Sequence, residues 1–195
     1  MSIFKRNYVM SSPKVLVPLA QGCEELEAVT IIDILVRGGV EVVTASLDEN
    51  RIISASRGVQ LVAQTELASL IEDSFDMIVL PGGLPGADYL QQDVRVIAML
   101  QKTVSEGGIV AAICAAPQVL VSAGLLDGKQ ATSYPGVIDV KPAIGMQYLE
   151  QGVVEDGQVI TSKGPGTAMD FSLTLIEKLQ GKAKRTEVEQ ALQRT

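Results

Sequence analysis

The 195-residue sequence contains no histidine and no tryptophan, and aromatic residues make up only 4% of it. The absence of histidine excludes, within one chain, every mechanism in which an imidazole takes the proton of a serine or cysteine nucleophile. It also excludes metal sites built on histidine. Any reactive thiol in this sequence must therefore be activated by another kind of group.

Cysteine is scarce as well. Cys23 and Cys114 are the two cysteines of the sequence, and they form no CxxC pair. Two cysteines are too few for a disulfide framework, which is typical of proteins from a reducing compartment. We therefore expect a cytoplasmic protein.

Basic residues are outnumbered by acidic ones. Sixteen Lys and Arg against 23 Asp and Glu give a formal charge of −7, which disfavours binding to nucleic acids or to anionic membrane surfaces. No apolar run approaches the roughly 20 residues that span a bilayer. The first twelve residues also lack the apolar centre of a secretory signal. We expect neither a membrane nor a nucleic acid among the partners.

The composition favours one compact domain. Apolar residues make up 47% of the sequence and charged residues 20%, a balance that supports a hydrophobic core. We predict a single domain over residues 13–195. Residues 1–12 are predicted to be a flexible extension, since Ser11 and Ser12 precede Pro13.

Strand-like and helix-like patterns alternate from residue 14 onward. This alternation predicts an α/β fold with a mostly parallel sheet and helices on both faces. In the first helix, apolar residues recur at helical spacing: Leu26, Val29, Ile32, Leu35 and Val36. The predicted strands are 14–19, 40–46, 77–80 and 109–113; the predicted hairpins are 51–63 and 153–162; and the predicted helices are 23–39, 66–71, 84–91, 94–106, 116–123, 165–180 and 182–193.

Cys114 lies directly between a predicted strand and a predicted helix. In open α/β sheets, ligands bind beyond the carboxyl ends of the strands, where a sharp strand-to-helix turn presents its side chain above the sheet. Partial positive charge at the following helix N-terminus is expected to lower the pKa of the thiol below about 8.5. The alternative is that Cys114 only fills a small apolar space between alanines. Spacing alone leaves both readings open.

The motifs "LPGG", "AAICAAP" and "SKGPGT", in this order with "EELE" upstream, closely resemble the ThiJ/PfpI superfamily. The resemblance covers residues 14 to about 190 and is greatest to the branch of bacterial YajL and the human Parkinson disease protein 7. It implies a flavodoxin-like three-layer sandwich, usually a homodimer. It also implies an oxidation-prone cysteine at Cys114 and a protonated glutamate at Glu27 that touches its sulfur.

The acids of "EELE" differ in their expected roles. A carboxyl group beside a thiolate has its pKa raised by burial and by charge repulsion, and the neutral acid then donates a hydrogen bond to sulfur. On a helix, Glu24 and Glu27 lean to one side and Glu25 points elsewhere. Charge compensation at the helix N-terminus explains Glu25. For Glu24 the same explanation competes with a place at the rim of the pocket or of a dimer contact.

Backbone amides are the expected oxyanion donors. The N–H groups of Gly83 and Ala115 are predicted to face the pocket, where a pair of amides stabilises a developing negative charge. Gly82 is predicted to line the same pocket, although both glycines are also residues that shape turns. The hairpin turn with Arg57 is a further candidate for a dimer contact or for the pocket rim.

The sequence departs from the family at several site positions. Ala115 stands where hydrolytic relatives carry histidine, so a histidine-dependent peptidase or amidotransferase is not supported. Tyr134 replaces a histidine, which leaves a phenolic proton relay or none. Lys163 replaces an arginine and loses its bidentate geometry. Cys23 is an additional thiol near the crevice, either a spectator or a resolving cysteine for oxidised Cys114.

Two classes of function remain open from the sequence. The first is a cofactor-independent and metal-independent enzyme that acts on small reactive dicarbonyls or glycated adducts, in the manner of a glyoxalase or deglycase. The second is a redox-responsive sensor or chaperone governed by oxidation of Cys114. A weaker alternative is thiamine biosynthesis, for which the sequence offers no phosphate loop or metal cluster. The expected partners are a small carbonyl compound or an oxidant, and a second copy of the chain.

Overall fold

A computed structural model of the chain describes residues 12–194. The predicted extension, residues 1–12, lies outside the described residues except for Ser12. The strands are β1 (Lys14–Leu19), β2 (Glu41–Ser46), β3 (Ile52–Ser54), β4 (Gln60–Val62), β5 (Thr65–Glu66), β6 (Met77–Leu80), β7 (Ile109–Ile113), β8 (Gln130–Ala131), β9 (Gln147–Tyr148), β10 (Val153–Asp156) and β11 (Val159–Ser162). The helices are α1 (Glu25–Arg37), α2 (Gly86–Gln92), α3 (Val94–Ser105), α4 (Pro117–Ser122), α5 (Ala168–Gln180) and α6 (Lys182–Ala191), with short 3₁₀ helices at Leu67–Leu70 and Pro165–Thr167.

The main sheet has seven strands in the order β10-β11-β7-β6-β1-β2-β5. Every neighbouring pair is parallel except β10 with β11, the hairpin at one edge. The short strands β3 and β4 form a separate antiparallel pair. The short strands β8 and β9 form a separate parallel pair. The predicted mostly parallel α/β fold is confirmed.

The sheet separates two hydrophobic cores. Successive side chains of a strand point to opposite faces, so Val15 and Val17 of β1 enter one core while Leu16 enters the other. The first core also contains Ile31 of α1 and Phe171 of α5. Helices α2, α3 and α4 contribute to the second core. Burial of the strands on both faces explains why they read as continuous apolar runs.

The buried face of α1 differs from the apolar positions that revealed the helix. Its buried residues are Glu25, Glu27, Ala28, Ile31, Ile34 and Leu35, whereas Leu26, Val29 and Val36 are 51%, 46% and 55% exposed. Two apolar stripes fit the helical period in this segment. The stripe of Ala28, Ile31, Ile34 and Leu35 lies on the same side of the helix as buried Glu27 and packs inside the protein.

Smaller differences concern short elements. The predicted helix at 66–71 is a single 3₁₀ turn, and the one at 84–91 begins later, at Gly86. Strands β8 and β9 have two residues each, too few for the alternating pattern by which a strand is recognised. Among the described residues, no helix is both long and apolar enough to cross a membrane.

The topology brings four loops to one edge of the sheet. Strands β1, β6, β7 and β11 are parallel neighbours in the middle of the sheet. The segments that follow them, beginning at Ala20, Pro81, Cys114 and Lys163, therefore leave from the same edge. In an open parallel sheet this is the edge at which ligands bind.

Candidate functional site

Cys114 occupies a strained turn between β7 and α4. Its φ of 63° lies in the left-handed region, which a residue with a side chain rarely adopts. Its N–H donates to the Ser162 carbonyl at 3.0 Å, and its carbonyl accepts from the Tyr134 N–H at 2.9 Å. Such a conformation costs about 1–3 kcal/mol and persists only where its surroundings hold it. The neighbouring backbone thus holds the half-buried thiol at the expected position.

Glu27 lies fully buried beside this thiol. Its Oε2 accepts a hydrogen bond from the Gly82 N–H at 2.8 Å, and its carboxyl group and the Cys114 thiol each influence the pKa of the other. Within residues 12–194, its Oε1 has no hydrogen-bond partner. A buried carboxyl oxygen without such a partner is costly unless it carries or shares a proton. The sulfur is the group available to share that proton.

The proton affinities of the two groups are linked. Burial raises the pKa of Glu27 from 4.5 to about 7, against the opposing effects of the Gly82 N–H and the Cys114 thiol. Burial, together with the negative charge of Glu27, raises the pKa of Cys114 to about 12. Coupled groups lose their protons as a pair. The pair acquires its first negative charge near neutral pH and resists acquiring a second.

The expectation that a helix N-terminus lowers the pKa of Cys114 is therefore wrong. Helix α4 begins only at Pro117 and has six residues, so its dipole is small. Burial and the neighbouring carboxylate outweigh the amides of Gly83 and Ala115, which do lower the pKa. Cys114 gains a negative charge only as far as Glu27 keeps a proton.

Two glycines allow the loop after β6 to approach the pair. A Cβ atom on Gly82 would lie 2.7 Å from the Cβ of Cys114 and 2.8 Å from Oε2 of Glu27. Gly83 has a φ of +88°, and a Cβ there would lie 2.4 Å from the Glu24 nitrogen. Only glycine fits at either position. The Gly83 and Ala115 N–H groups reach the sulfur as a result.

A cavity of about 330 Å³ opens above the sulfur. Its volume is at the lower end of the range for small-molecule sites. The residues that line it are Glu24, Ser56, Arg57, Gly83, Leu84, Cys114, Ala115, Tyr134, Val137 and Pro165. Of these, the sequence did not indicate Ser56, Leu84, Val137 or Pro165. They come from four segments that are far apart in the sequence, and no local pattern marks them.

Glu24 meets both descriptions offered for it. Its Oε2 accepts from the Glu27 N–H at 2.7 Å and so caps α1, and the residue also lines the cavity. Glu25 does more than compensate helix charge. It accepts hydrogen bonds from Ser56 and Arg57 in the turn between β3 and β4. Nothing in the sequence links Glu25 to a turn some 30 residues later.

Cys23 and Lys163 lie outside the cavity that the sequence assigned to them. Cys23 is fully buried in the first core, and burial raises its pKa to about 12. Neither feature suits a resolving thiol. Lys163 instead lines an adjoining cavity of about 290 Å³, which shares Tyr134 and Pro165 with the first. Within residues 12–194 no group of three or more His, Cys, Asp or Glu side chains is placed to hold a metal ion.

The fold and this site together define a class of protein. The class consists of α/β sandwiches that present a cysteine on a strand-to-helix turn beside a buried carboxyl group. The profile of the DJ-1/PfpI family matches residues 13–178, and the chain belongs to this family. The resemblance read from "LPGG", "AAICAAP" and "SKGPGT" is thus confirmed.

Similar proteins occur in plants and animals. The chain is 43% identical over 184 residues to Protein dj-1beta of Drosophila melanogaster, covering 93% of this chain and 97% of that one. It is 44% identical over 179 residues to Protein DJ-1 homolog A of Arabidopsis thaliana, covering 91% of this chain and 46% of that one. The chain thus spans about half the length of this plant relative. It is also 36% identical to Glutathione-independent glyoxalase DJR-1.2 of Caenorhabditis elegans, covering 84% of this chain and 87% of that one.

Solved structures show the same architecture. The crystal structure of Drosophila melanogaster DJ-1beta superimposes with a TM-score of 0.88 at 42% identity, covering 93% of this chain and 97% of that one. A structure of Toxoplasma gondii DJ-1, described as oxidized, gives a TM-score of 0.86 at 38% identity, covering 93% and 98%. These likenesses confirm the flavodoxin-like sandwich.

The raised pKa of Glu27 predicts a pH-dependent stability difference. The protonated carboxyl of Glu27 stabilises the folded state fully below pH 4.5, and this stabilisation is lost as the pH rises through about 7. The resulting change in the free energy of unfolding is about 3 kcal/mol. Glu27→Gln removes this titration and retains a hydrogen-bond donor and an acceptor. Relative to wild type, the variant should gain about 3 kcal/mol of unfolding free energy between about pH 4 and about pH 8. Urea unfolding at both pH values measures the gain.

The exposed Glu72 provides the matched control. Glu72→Gln should show the same difference from wild type at both pH values. An equally pH-independent difference for Glu27→Gln would contradict the raised pKa.

Proposed function

We propose that the protein is a cofactor-independent enzyme that converts small reactive dicarbonyls, in the manner of a glyoxalase or deglycase. The observation that carries the proposal is the pair at the base of the cavity. A carboxyl group with one unpaired oxygen faces a thiol, and two backbone N–H groups reach the same sulfur. The name of the Caenorhabditis relative, a glutathione-independent glyoxalase, supports the same substrate class.

The first step is addition of Cys114 to the aldehyde. The sulfur forms a bond to the aldehyde carbon, and the C=O π electrons move to the oxygen. The amides of Gly83 and Ala115 stabilise the developing oxyanion. The proton that the pair retains passes through Glu27 to this oxygen, which gives a neutral hemithioacetal and leaves Glu27 ionised.

The second step moves hydrogen between adjacent carbons. Ionised Glu27 takes the proton from the carbon that carries sulfur, and the electron pair moves toward the neighbouring carbonyl to give an enediolate. Glu27 then returns this proton to the second carbon, and the hydroxyl proton of the first carbon moves to the oxygen of the second. The product is a thioester of a 2-hydroxy acid, and Glu27 is ionised again. Water then cleaves the C–S bond, which releases the acid and restores the thiol. The sum is dicarbonyl plus water to 2-hydroxy acid, with no external oxidant or reductant.

Without histidine in the sequence, the proton transfers fall to Glu27. The side chain of Tyr134 is 52% exposed and lines the same cavity. A phenolic relay through Tyr134 remains a prediction. The pKa of Glu27 is raised to about 7, near neutrality, where a general acid–base works best.

A second candidate function is oxidation sensing through Cys114. The thiol is partly accessible, whereas Cys23 is fully buried. The amides of Gly83 and Ala115 and a protonated Glu27 are donors suited to the oxygens of a sulfinate. The Toxoplasma relative was solved in a form described as oxidized. The same residues around Cys114 are therefore suited both to the enzymatic function and to oxidation sensing.

We also propose that the chain forms a homodimer through α1 and the β3–β4 hairpin. Leu26 and Val29 of α1 are about half exposed, and Ile52 and Val62 of the hairpin are 49% and 68% exposed. Glu25 links the two elements through the hairpin turn. Exposed apolar side chains on adjoining elements are typical of an interface between copies.

Methylglyoxal turnover tests the enzymatic proposal. Cys114→Ser should abolish turnover, and Glu27→Gln should lower kcat by roughly 10²- to 10⁴-fold, the usual contribution of a general acid–base. The wild-type kcat/KM should rise as pH increases through about 7, because Glu27 becomes ionised there and can take the proton of the Cys114 thiol. In Glu27→Gln, the kcat/KM that remains should not show this rise near pH 7.

Cys23→Ala is the control for this measurement, because Cys23 is buried away from the cavity; it should leave kcat unchanged. Retained turnover in Glu27→Gln would overturn its role as proton carrier. No turnover in the wild type would overturn the enzymatic proposal and leave the sensor.

Limited peroxide treatment tests the sensing candidate. Cys114 should reach the sulfinate before Cys23 reacts, because Cys23 is fully buried and Cys114 opens to the cavity. Peptide mass spectrometry locates the added oxygens. Earlier oxidation of Cys23, or a disulfide between the two cysteines as the main product, would contradict this assignment.

Light scattering after size-exclusion chromatography tests the homodimer. The wild type should have twice the mass of the chain, and the double substitution of Leu26 and Val29 by Asp should yield monomers, since buried charge opposes association. Val94→Asp is the matched control, on a side chain that is 79% exposed on α3; it should remain dimeric. A monomeric wild type would disprove the interface.

A further inference from the structure

We propose that Glu25 is a positioning residue that sets the width of the Cys114 cavity by holding the turn between β3 and β4. This inference extends the proposed function, since it takes Cys114 as the reacting group. It adds a size limit on what reaches the sulfur. Glu25 itself is absent from the cavity lining, whereas Ser56 and Arg57 of the turn belong to it.

The carboxylate of Glu25 accepts several hydrogen bonds from the turn between β3 and β4. Its Oε2 accepts from the Ser56 hydroxyl at 3.0 Å and its Oε1 from the Arg57 N–H at 2.8 Å. A longer contact of 3.5 Å joins the Val59 N–H to Oε1. Successive backbone N–H groups that converge on one anion form a compact binding site for it. The protein's own side chain occupies this site.

The group remains ionised at neutral pH. Burial, to 9% residual exposure, opposes ionisation. The hydrogen bonds from its own backbone, from Ser56 and from Arg57 outweigh that effect and lower the pKa of Glu25. Hydrogen bonds to a charged acceptor are stronger than those between neutral groups. The turn is therefore fixed more firmly than neutral contacts alone would fix it.

The hairpin has limited support of its own. Strands β3 and β4 have three residues each and are not hydrogen-bonded to the main sheet. A two-stranded hairpin of this kind is marginally stable by itself. Ile53 anchors it in the first core, and the Ser56 N–H donates to the Cys23 carbonyl at 2.8 Å. Strand β3 is also held at its end, where the Gly22 N–H donates to the Ser54 carbonyl at 2.8 Å and the Gln21 side chain bonds the Ile52 carbonyl and the Ser54 N–H. Among the described residues, Glu25 supplies the side-chain hydrogen bonds that another element makes to the turn at Ser56 and Arg57.

The reacting pair is held by different contacts. Glu27 is bound by Gly82, and the sulfur of Cys114 is approached by the Gly83 and Ala115 amides. None of these groups belongs to the hairpin. Loss of the Glu25 carboxylate should therefore release the wall formed by Ser56 and Arg57 without changing the pair.

Alkylation of Cys114 by maleimides of different size tests this inference without reference to turnover. The probes are N-methylmaleimide and N-pyrenylmaleimide, and mass spectrometry of the Cys114 peptide follows each reaction. Glu25→Ala should increase the rate with the pyrenyl reagent about tenfold, as expected for loss of one hydrogen bond to a charged group. The rate with the methyl reagent should stay within about twofold of wild type, since the sulfur keeps its surroundings.

Two variants and one control complete the experiment. Glu25→Gln retains an oxygen that accepts from the Arg57 N–H, so it should restore the wild-type ratio of the two rates. Ser56→Ala removes one donor and should give an intermediate ratio; it also serves if Glu25→Ala fails to fold. Asp33→Ala, on an exposed acid of the same helix, should match wild type.

An unchanged ratio in both Glu25→Ala and Ser56→Ala would overturn the inference. An equal increase with both reagents would do so as well, because it would place the effect on the sulfur rather than on access. Failure of the proposed enzymatic function would appear as missing methylglyoxal turnover in the wild type. The ratio of alkylation rates would still be measurable in that protein, so the two failures are distinguishable.

Discussion

Burial of the Glu27 carboxyl against the Cys114 thiol is the constraint around which this edge of the sheet is built. Both groups are acids, and burial raises the pKa of each, so near neutral pH the pair carries one negative charge at most. The loop after β6 must pass close enough for the Gly82 N–H to bind the carboxyl, which only glycine allows. Cys114 takes a left-handed φ to bring its sulfur to the same point. In the enzymatic function that we propose for this sequence without histidine, the pair supplies both the nucleophile and the proton carrier.

The first turn of α1 distributes three acids over three tasks. Glu24 caps the helix and reaches the cavity, Glu25 holds the hairpin turn, and Glu27 meets the sulfur. The inward direction of Glu27 also decides which face of α1 is buried. Leu26 and Val29 are turned outward as a consequence. One helix orientation thus connects the reacting pair, the cavity wall and the apolar surface that we assign to a dimer.

Local patterns were sufficient for most of the fold. Continuous apolar runs identified β1, β6 and β7, and the position of Cys114 between β7 and α4 identified the turn that carries it. Local patterns do not report which side chains become buried by contacts between distant parts of the sequence. Such burial determines the face of α1, the removal of Cys23 into the core and the raised pKa of Cys114. The bond between Glu25 and Arg57 joins segments 32 residues apart, a separation that no periodicity reports.

Infrared difference spectroscopy of the Glu27 carboxyl across a pH titration tests the shared proton most directly. The carboxylic acid C=O band assigned to Glu27 is the one that disappears in Glu27→Gln. In the wild type this band should persist above the ordinary carboxyl pKa of 4.5 and titrate at about 7. Cys114→Ser should shift that transition, because the thiol is one of the groups that set the pKa. A band already lost at 4.5, and unaffected by Cys114→Ser, would contradict the pairing of these two residues.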